Sequence, residues 1–192
     1  GTLADLASPS GAPAAPHTVA NALAAAALAR AHGVAPRAVR DGLRAFVPDA
    51  HRVADLGAIN GVRFVDDSKA TNPHAASAAL RSFERSVWIA GGLAKGAGFD
   101  DLVVSAKDQL RAAVLIGTDR AIIADALERH APDVPVVEVE TRDTDLMDRV
   151  VEVAASLARE GDTVLLAPGC ASWDQFRNYS ARGDEFAAAV ER

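Results

Sequence analysis

Seven consecutive residues, Asp66-Asp67-Ser68-Lys69-Ala70-Thr71-Asn72, gather two carboxylates, two hydroxyls, an ammonium and an amide. Groups of this kind bind anions and exchange hydrogen bonds with polar ligands. A short β-like run, Val62 to Val65, precedes them, and an Ala-rich segment with helical spacing follows. Asn72 suits a helix N-cap, and Pro73 suits the first helical position. The cluster is therefore expected where a strand gives way to a helix. Backbone N–H groups and the positive end of the helix dipole favour a bound anion there. A second stretch, Gly91-Gly92-Leu93-Ala94-Lys95-Gly96, follows the apolar run Val87-Trp88-Ile89-Ala90. Its glycine pair permits close backbone approach, and Lys95 adds a positive charge. It lacks the G-x-x-x-x-G-K-[ST] pattern of a phosphate loop. A third stretch, Pro168-Gly169-Cys170-Ala171-Ser172-Trp173-Asp174, follows Thr163 to Ala167 and runs on to Tyr179. Ser172 can offer its hydroxyl to a ligand or cap a helix. Cys170 has no histidine nearby in sequence and reads as a small buried thiol. His74 and His130 have no partner at metal-ligand spacing and read as surface or capping residues, so no metal-binding residue is expected.

These loops need a frame. Strand patterns fall near 53–59, 62–66, 86–90, 112–117, 135–139 and 163–167. Helical patterns fall near 73–83, 101–110, 119–130, 143–159 and 181–190. In the first of these helices Ala76, Ala79, Leu80 and Phe83 share one face. Asn60-Gly61 between the first two strands is a strong hairpin signal, so that pair is expected to be antiparallel. The alternation predicts a Rossmann-like α/β domain, a mostly parallel six-stranded sheet with one antiparallel strand and helices on both faces. No G-x-G-x-x-G follows the first strand, so a dinucleotide fingerprint is absent. Ligands of open α/β sheets bind beyond the carboxyl ends of the strands, where the three polar loops should meet. Upstream, residues 1–16 are rich in Ala, Pro, Ser and Gly and read as a loop or linker. A helix from Thr18 ends at Gly33. A second opens at Pro36, carries Val39, Leu43 and Phe46 on one face, and closes at Pro48. Two short helices make a poor independent core, so residues 1–50 read as the end of a domain that began upstream.

Composition excludes several classes. The 192 residues are 49% hydrophobic and carry a formal net charge of -6. That composition argues against global disorder, and without a basic stripe neither nucleic acid nor an anionic membrane surface is an expected partner. The single cysteine rules out an internal disulfide and fits a reducing cytoplasm. No apolar run approaches the ~20 residues of a membrane span, and no signal peptide is recognisable.

The run Asp67 to Asn72 resembles the motif that opens the C-terminal domain of the Mur ligases, in the form carried by members that add D-glutamate. Gly91-Gly92-x-x-Lys95 is similar to that domain's second motif. The segment from Ser172 to Tyr179 is similar to its third, with Tyr179 where phenylalanine is usual. His17 to Ala25 resembles the family's adenine-contacting helix, with Asn21 matching one of its two asparagines and Thr18 replacing the other. The likeness spans residues 17–192. It implies a Mur ligase C-terminal domain at 51–192, preceded at 1–50 by the end of the central ATP-binding domain. It further implies an ATP-dependent amide ligase acting through an acyl phosphate. ATP and Mg2+ would be its cofactors, with the magnesium ligands upstream of this chain. D-Glutamate and UDP-N-acetylmuramoyl-L-alanine would be substrates, and the enzyme a cytoplasmic monomer working with its upstream domains.

Roles carry over from the resemblance residue by residue. Thr71 and Lys95 would hold the α-carboxylate of D-glutamate. Ser172, through its hydroxyl, and Tyr179, through its main-chain N–H, would hold the side-chain carboxylate. Asp67 would face the ATP ribose, and Asn21 the adenine. Arg52 would reach the ATP phosphates from the hinge, His51 before it would be a further ATP-binding residue, and Lys69 would lie near the phosphates or the reacting carboxylate. Arg52 and Lys69 are the two with a catalytic part. Two alternatives stay open: a related ligase of the folylpolyglutamate type or another Mur type with a different amino acid, and a non-catalytic α/β binding domain.

Overall fold

The computed structural model describes residues 16–46, 49–140 and 145–192, with side chains from Thr18 onward. The expected loop or linker at 1–16 thus lies, but for Pro16, outside the described residues, as does Pro48. The chain divides into two compact units, Gly1–Asp49 and Ala50–Arg192.

Among the described residues the first unit holds two helices, α1 (Pro16–Ala31) and α2 (Pro36–Ala45). Gly33 adopts φ +88 just past α1, a conformation that suits glycine at a helix C-terminus. Pro36 starts α2 after an extended Ala35. Nothing in α2 is fully buried. Phe46, expected on its apolar face, lies beyond the last turn and is exposed, as are Leu23 and Leu28 of α1.

In the second unit strands and helices alternate: β1 (Ala54–Ile59), β2 (Val62–Asp66), α3 (Pro73–Leu80), β3 (Ser86–Gly91), α4 (Asp100–Ala106), β4 (Leu110–Ile116), α5 (Arg120–His130), β5 (Val136–Glu138), α6 (Leu146–Leu157), β6 (Thr163–Leu166) and α7 (Tyr179–Glu191). The strands form one six-stranded sheet in the order β1-β2-β6-β3-β4-β5. Only β1–β2 is antiparallel; the other four pairings are parallel. Asn60 and Gly61 turn the hairpin with φ +51 and +77, the left-handed pair that a tight two-residue turn demands.

Side chains alternate along each buried strand and feed two cores. Val65, Trp88, Ala90, Ala113, Leu115 and Leu165 face α3, α4 and α5. Phe64, Val87, Ile89, Val114, Ile116, Val164 and Leu166 face α6 and α7. Both faces of the sheet are covered, which is why the central strands read as continuous apolar runs. The returning crossover β5-α6-β6 inserts the last strand into the middle of the sheet. No helix among the described residues is long and apolar enough to cross a membrane.

The elements differ from expectation mainly at their ends. α3 stops at Leu80, leaving Phe83 beyond it but still packed on the core. α4 ends at Ala106 and passes through a 3-10 turn, Lys107–Gln109, straight into β4, two residues earlier than expected. α7 begins at Tyr179, two residues before the expected start, because Asn178 caps it.

Candidate functional site

Three loops leave the carboxyl ends of β2, β3 and β6, and main-chain hydrogen bonds lock them together. The loop after β2 turns tightly: Asp66 Oδ1 accepts the Ser68 N–H at 2.8 Å, and Asp67 O accepts the Ala70 N–H at 2.8 Å. Gly169 N–H of the third loop donates to Ala70 O at 2.8 Å. Leu93 of the second loop and Ala171 of the third form an isolated antiparallel bridge, with N–H···O distances of 2.8 and 3.0 Å. Asn72 accepts the Ala75 N–H at 3.0 Å and so caps α3 as its sequence position predicts. The positive end of α3 thus lies directly behind Thr71, which is half-buried.

A fourth loop, after β4, braces the others and was not singled out in the sequence. Asp119 Oδ2 accepts the Ala94 N–H at 2.8 Å. Thr118 N–H donates to Asp174 Oδ2 at 2.8 Å. Here the backbones come so close that only glycine fits: a Cβ on Gly92 would stand 2.2 Å from Ala171 O, and one on Gly117 would stand 2.5 Å from Gly92 Cα.

Arg182 is the other brace, and sequence reasoning missed it. It is fully buried on α7. Its Nε donates to Ser68 Oγ at 2.9 Å, Nη2 to Ser68 O at 2.8 Å, and both terminal nitrogens to Cys170 O at 3.3 Å. Ser68 Oγ donates in turn to Tyr179 O at 2.7 Å. One guanidinium thus ties the first loop, the third loop and α7. Burial pulls its pKa down to about 10, so it stays charged at neutral pH. An arginine in a helix ordinarily reads as exposed; the only sequence signal was its placement among apolar positions of α7.

The structure distributes the remaining candidates as follows. Asp67 is almost fully buried, and its Oδ1 accepts the Val53 N–H at 3.1 Å. Burial raises its carboxyl to about 6, with the Val53 N–H and the Arg52 charge pulling the other way and neighbouring Asp66 adding to the rise. Arg52 itself is exposed. His51 Nδ1 lies 2.7 Å from Asp66 Oδ2, and its Nε2 lies 3.5 Å from Asp184 Oδ1. Its ring meets the Tyr179 ring edge-on at 6.4 Å. Gly183 leaves room for this contact, since a Cβ there would stand 2.2 Å from Nδ1. Lys69 Nζ stands 5.8 Å from the Tyr179 ring centre. Lys95 is exposed, has φ +55, and holds its ammonium 4.2 Å from the ring centre of Trp173.

Ser172 is buried, and its carbonyl accepts the Gln175 and Phe176 N–H groups. It opens a turn rather than capping a helix; Asn178 caps α7 instead, accepting the Ala181 N–H at 2.8 Å. Tyr179 is the first residue of α7. Its N–H has no acceptor within the helix, as holds for the first turn of any helix. Asn21 is exposed on α1, in the other unit. Cys170 is fully buried, and burial pushes its thiol up to about 12, which keeps it protonated at neutral pH. His74 is exposed, and His130 Nε2 meets Asp100 Oδ1 at 2.7 Å. Among the described residues no group of three or more His, Cys, Asp or Glu side chains is arranged to hold a metal ion.

The sheet is that of a doubly wound α/β domain, a class in which ligands bind in the crevice beyond the carboxyl ends of the strands, and the three loops lie at that edge. The family model described as "Mur ligase, glutamate ligase domain" matches residues 51–170, and the chain belongs to that family. Among curated relatives, the UDP-N-acetylmuramoylalanine--D-glutamate ligase of Streptomyces coelicolor is 64% identical over 178 residues, covering 93% of this chain and 38% of that protein. The ligase of the same name from Thermobifida fusca is 57% identical over 189 residues, covering 98% of this chain and 40% of that protein. The chain therefore spans under half the length of these relatives. Among solved structures, MurF from Acinetobacter baumannii superposes with a TM-score of 0.64 at 20% identity, over 100% of this chain and 44% of that one. A pseudomurein peptide ligase type C from Methanothermus fervidus gives 0.64 at 16% identity, over 94% of this chain and 37% of that one. These structural likenesses establish the fold.

Proposed function

We propose that this chain is the C-terminal part of an ATP-dependent amide ligase that joins D-glutamate to UDP-N-acetylmuramoyl-L-alanine in peptidoglycan synthesis. The observation that carries the reading is the locking of three strand-end loops, bearing Thr71, Lys95 and Ser172, beside the N-terminus of α7, where the Tyr179 N–H has no acceptor within the helix. A dicarboxylate needs donors at two separated points, and a rigid set of loops holds such donors at fixed spacing. The names of the relatives support the choice of amino acid.

On this reading Thr71 and Lys95 hold the α-carboxylate of D-glutamate, and Ser172 and the Tyr179 N–H hold its side-chain carboxylate. The chain's contribution is positioning: it presents the amine to an acyl phosphate whose formation consumes ATP. Asp67 takes the ribose hydroxyls, and Arg52 and Lys69 meet the phosphates or the reacting carboxylate. Asn21 contacts adenine from the end of the central ATP-binding domain, which occupies residues 1–50. His51, held by Asp66, sets the start of the second unit. Magnesium neutralises phosphate charge in such reactions, and its ligands belong to the upstream part of the enzyme.

The test is the kinetics of the complete ligase with D-glutamate varied at saturating ATP. Ser172→Ala removes a donor to a charged acceptor and should lower kcat/KM for D-glutamate roughly ten- to a hundredfold. Tyr179→Phe keeps the N–H and the ring and should be nearly silent. Failure of the enzyme to use D-glutamate, or a silent Ser172→Ala, overturns the assignment.

A further inference from the structure

Trp173 has no packing reason to be where it is. It is 66% exposed, while the other tryptophan, Trp88, is fully buried and donates its indole N–H to Ala167 O at 2.7 Å. The face of the Trp173 ring is instead occupied by the Lys95 ammonium, 4.2 Å from its centre. That is well inside the ~6 Å over which a cation is attracted to an aromatic face.

The backbone fixes this pair from both sides. Lys95 lies two residues beyond Leu93 and Trp173 two residues beyond Ala171, the partners of the isolated bridge. Each is also flanked by a residue pinned to the loop after β4. Ala94, before Lys95, donates its N–H to Asp119, and Asp174, after Trp173, accepts from Thr118 N–H. An exposed lysine on a four-carbon stem otherwise samples many rotamers and loses that freedom when it binds. A ring held at the right spot reduces this loss in advance.

We propose that Trp173 is a positioning residue for Lys95: its ring pre-sets the ammonium for the carboxylate of the incoming amino acid. The inference rests on the reading of Lys95 given above. It adds a residue that touches no reacting group and acts through another.

The experiment is a double-mutant cycle in the complete ligase, with D-glutamate and ATP varied separately. Trp173→Leu should raise KM for D-glutamate about two- to fivefold, the range for a cation–π contact at an exposed site. KM for ATP, kcat and the thermal midpoint should hold, because the ring is exposed. Trp173→Phe, which keeps an aromatic face, should recover most of the loss. The Lys95→Ala/Trp173→Leu double variant should bind D-glutamate no worse than Lys95→Ala alone. A silent Trp173→Leu, or an undiminished loss from Trp173→Leu in the Lys95→Ala background, overturns this inference alone. A Lys95→Ala variant with unchanged KM for D-glutamate overturns both the inference and the substrate reading beneath it.

Discussion

Asp67 is costly to the fold and is kept in its charged surroundings nonetheless. Its carboxyl rises from 3.8 to about 6 chiefly through burial, so the folded protein binds the proton more tightly than the unfolded chain does. The sign follows directly. The stabilising contribution is full below about 3.8 and is lost as pH rises through about 6. Two pKa units correspond to roughly 3 kcal/mol, so ionised Asp67 weakens the fold by that order at pH 7.5. Asp67→Asn keeps an acceptor for the Val53 N–H and removes the charge. It should raise the denaturant midpoint at pH 7.5 and lose most of that gain at pH 4. An equal gain at both pH values would show that burial of the charge is not the cause. A residue that opposes stability in a loop of this kind is the pattern of a ligand-binding group. Sequence alone singled out Asp67 by its neighbours and motif, but not its burial, which goes with partners distant in the chain, the Val53 N–H on its carboxylate and Leu166 O on its own N–H.

At the scale of elements the loops act as one piece because they touch main chain to main chain. Gly92 is one of the tight points: φ is +127 and a Cβ would stand 2.2 Å from Ala171 O. Gly92→Ala should therefore break the Leu93–Ala171 bridge and cost more than about 2 kcal/mol in urea unfolding. Gly96→Ala, with φ +79 but nothing within 4 Å, should cost only about 1 kcal/mol from backbone strain. Equal losses at the two positions would mean that strain, not contact, sets the cost. The elements themselves were largely legible. Asn60-Gly61 announced its hairpin and Asn72-Pro73 its helix start through local turn and cap chemistry, which short stretches encode fully. Ser172 was misjudged as a possible cap because a serine after a strand looks the same whether a turn or a helix follows; Asn178 decides it. Arg182 and the Asp119 and Asp174 braces were illegible because their partners lie on other loops, several of them main-chain atoms that leave no mark in a sequence.

At the scale of the molecule the two units differ in what they bury. Ala50–Arg192 has a covered sheet and two apolar cores, whereas α2 in the first unit buries no residue fully. A chain beginning at Ala50 should therefore unfold cooperatively, with a midpoint within a few degrees of that of all 192 residues by circular dichroism. Residues 1–49 alone should show little helix. A non-cooperative melt of the shorter chain would show that its cores need the first unit. Strand order was the least legible feature at this scale, since nothing local in Thr163–Leu166 says that it pairs with both β2 and β3. That insertion has a consequence for synthesis on the ribosome. A nascent chain makes β2 and β3 early and the strand between them almost last. Until β6 emerges, two apolar strands each present an open edge, and the loops at their ends lack the partners that fix them. Such edges are templates for pairing with other chains. Slowing of translation at any point before Thr163–Leu166 has cleared the ribosome prolongs that exposure.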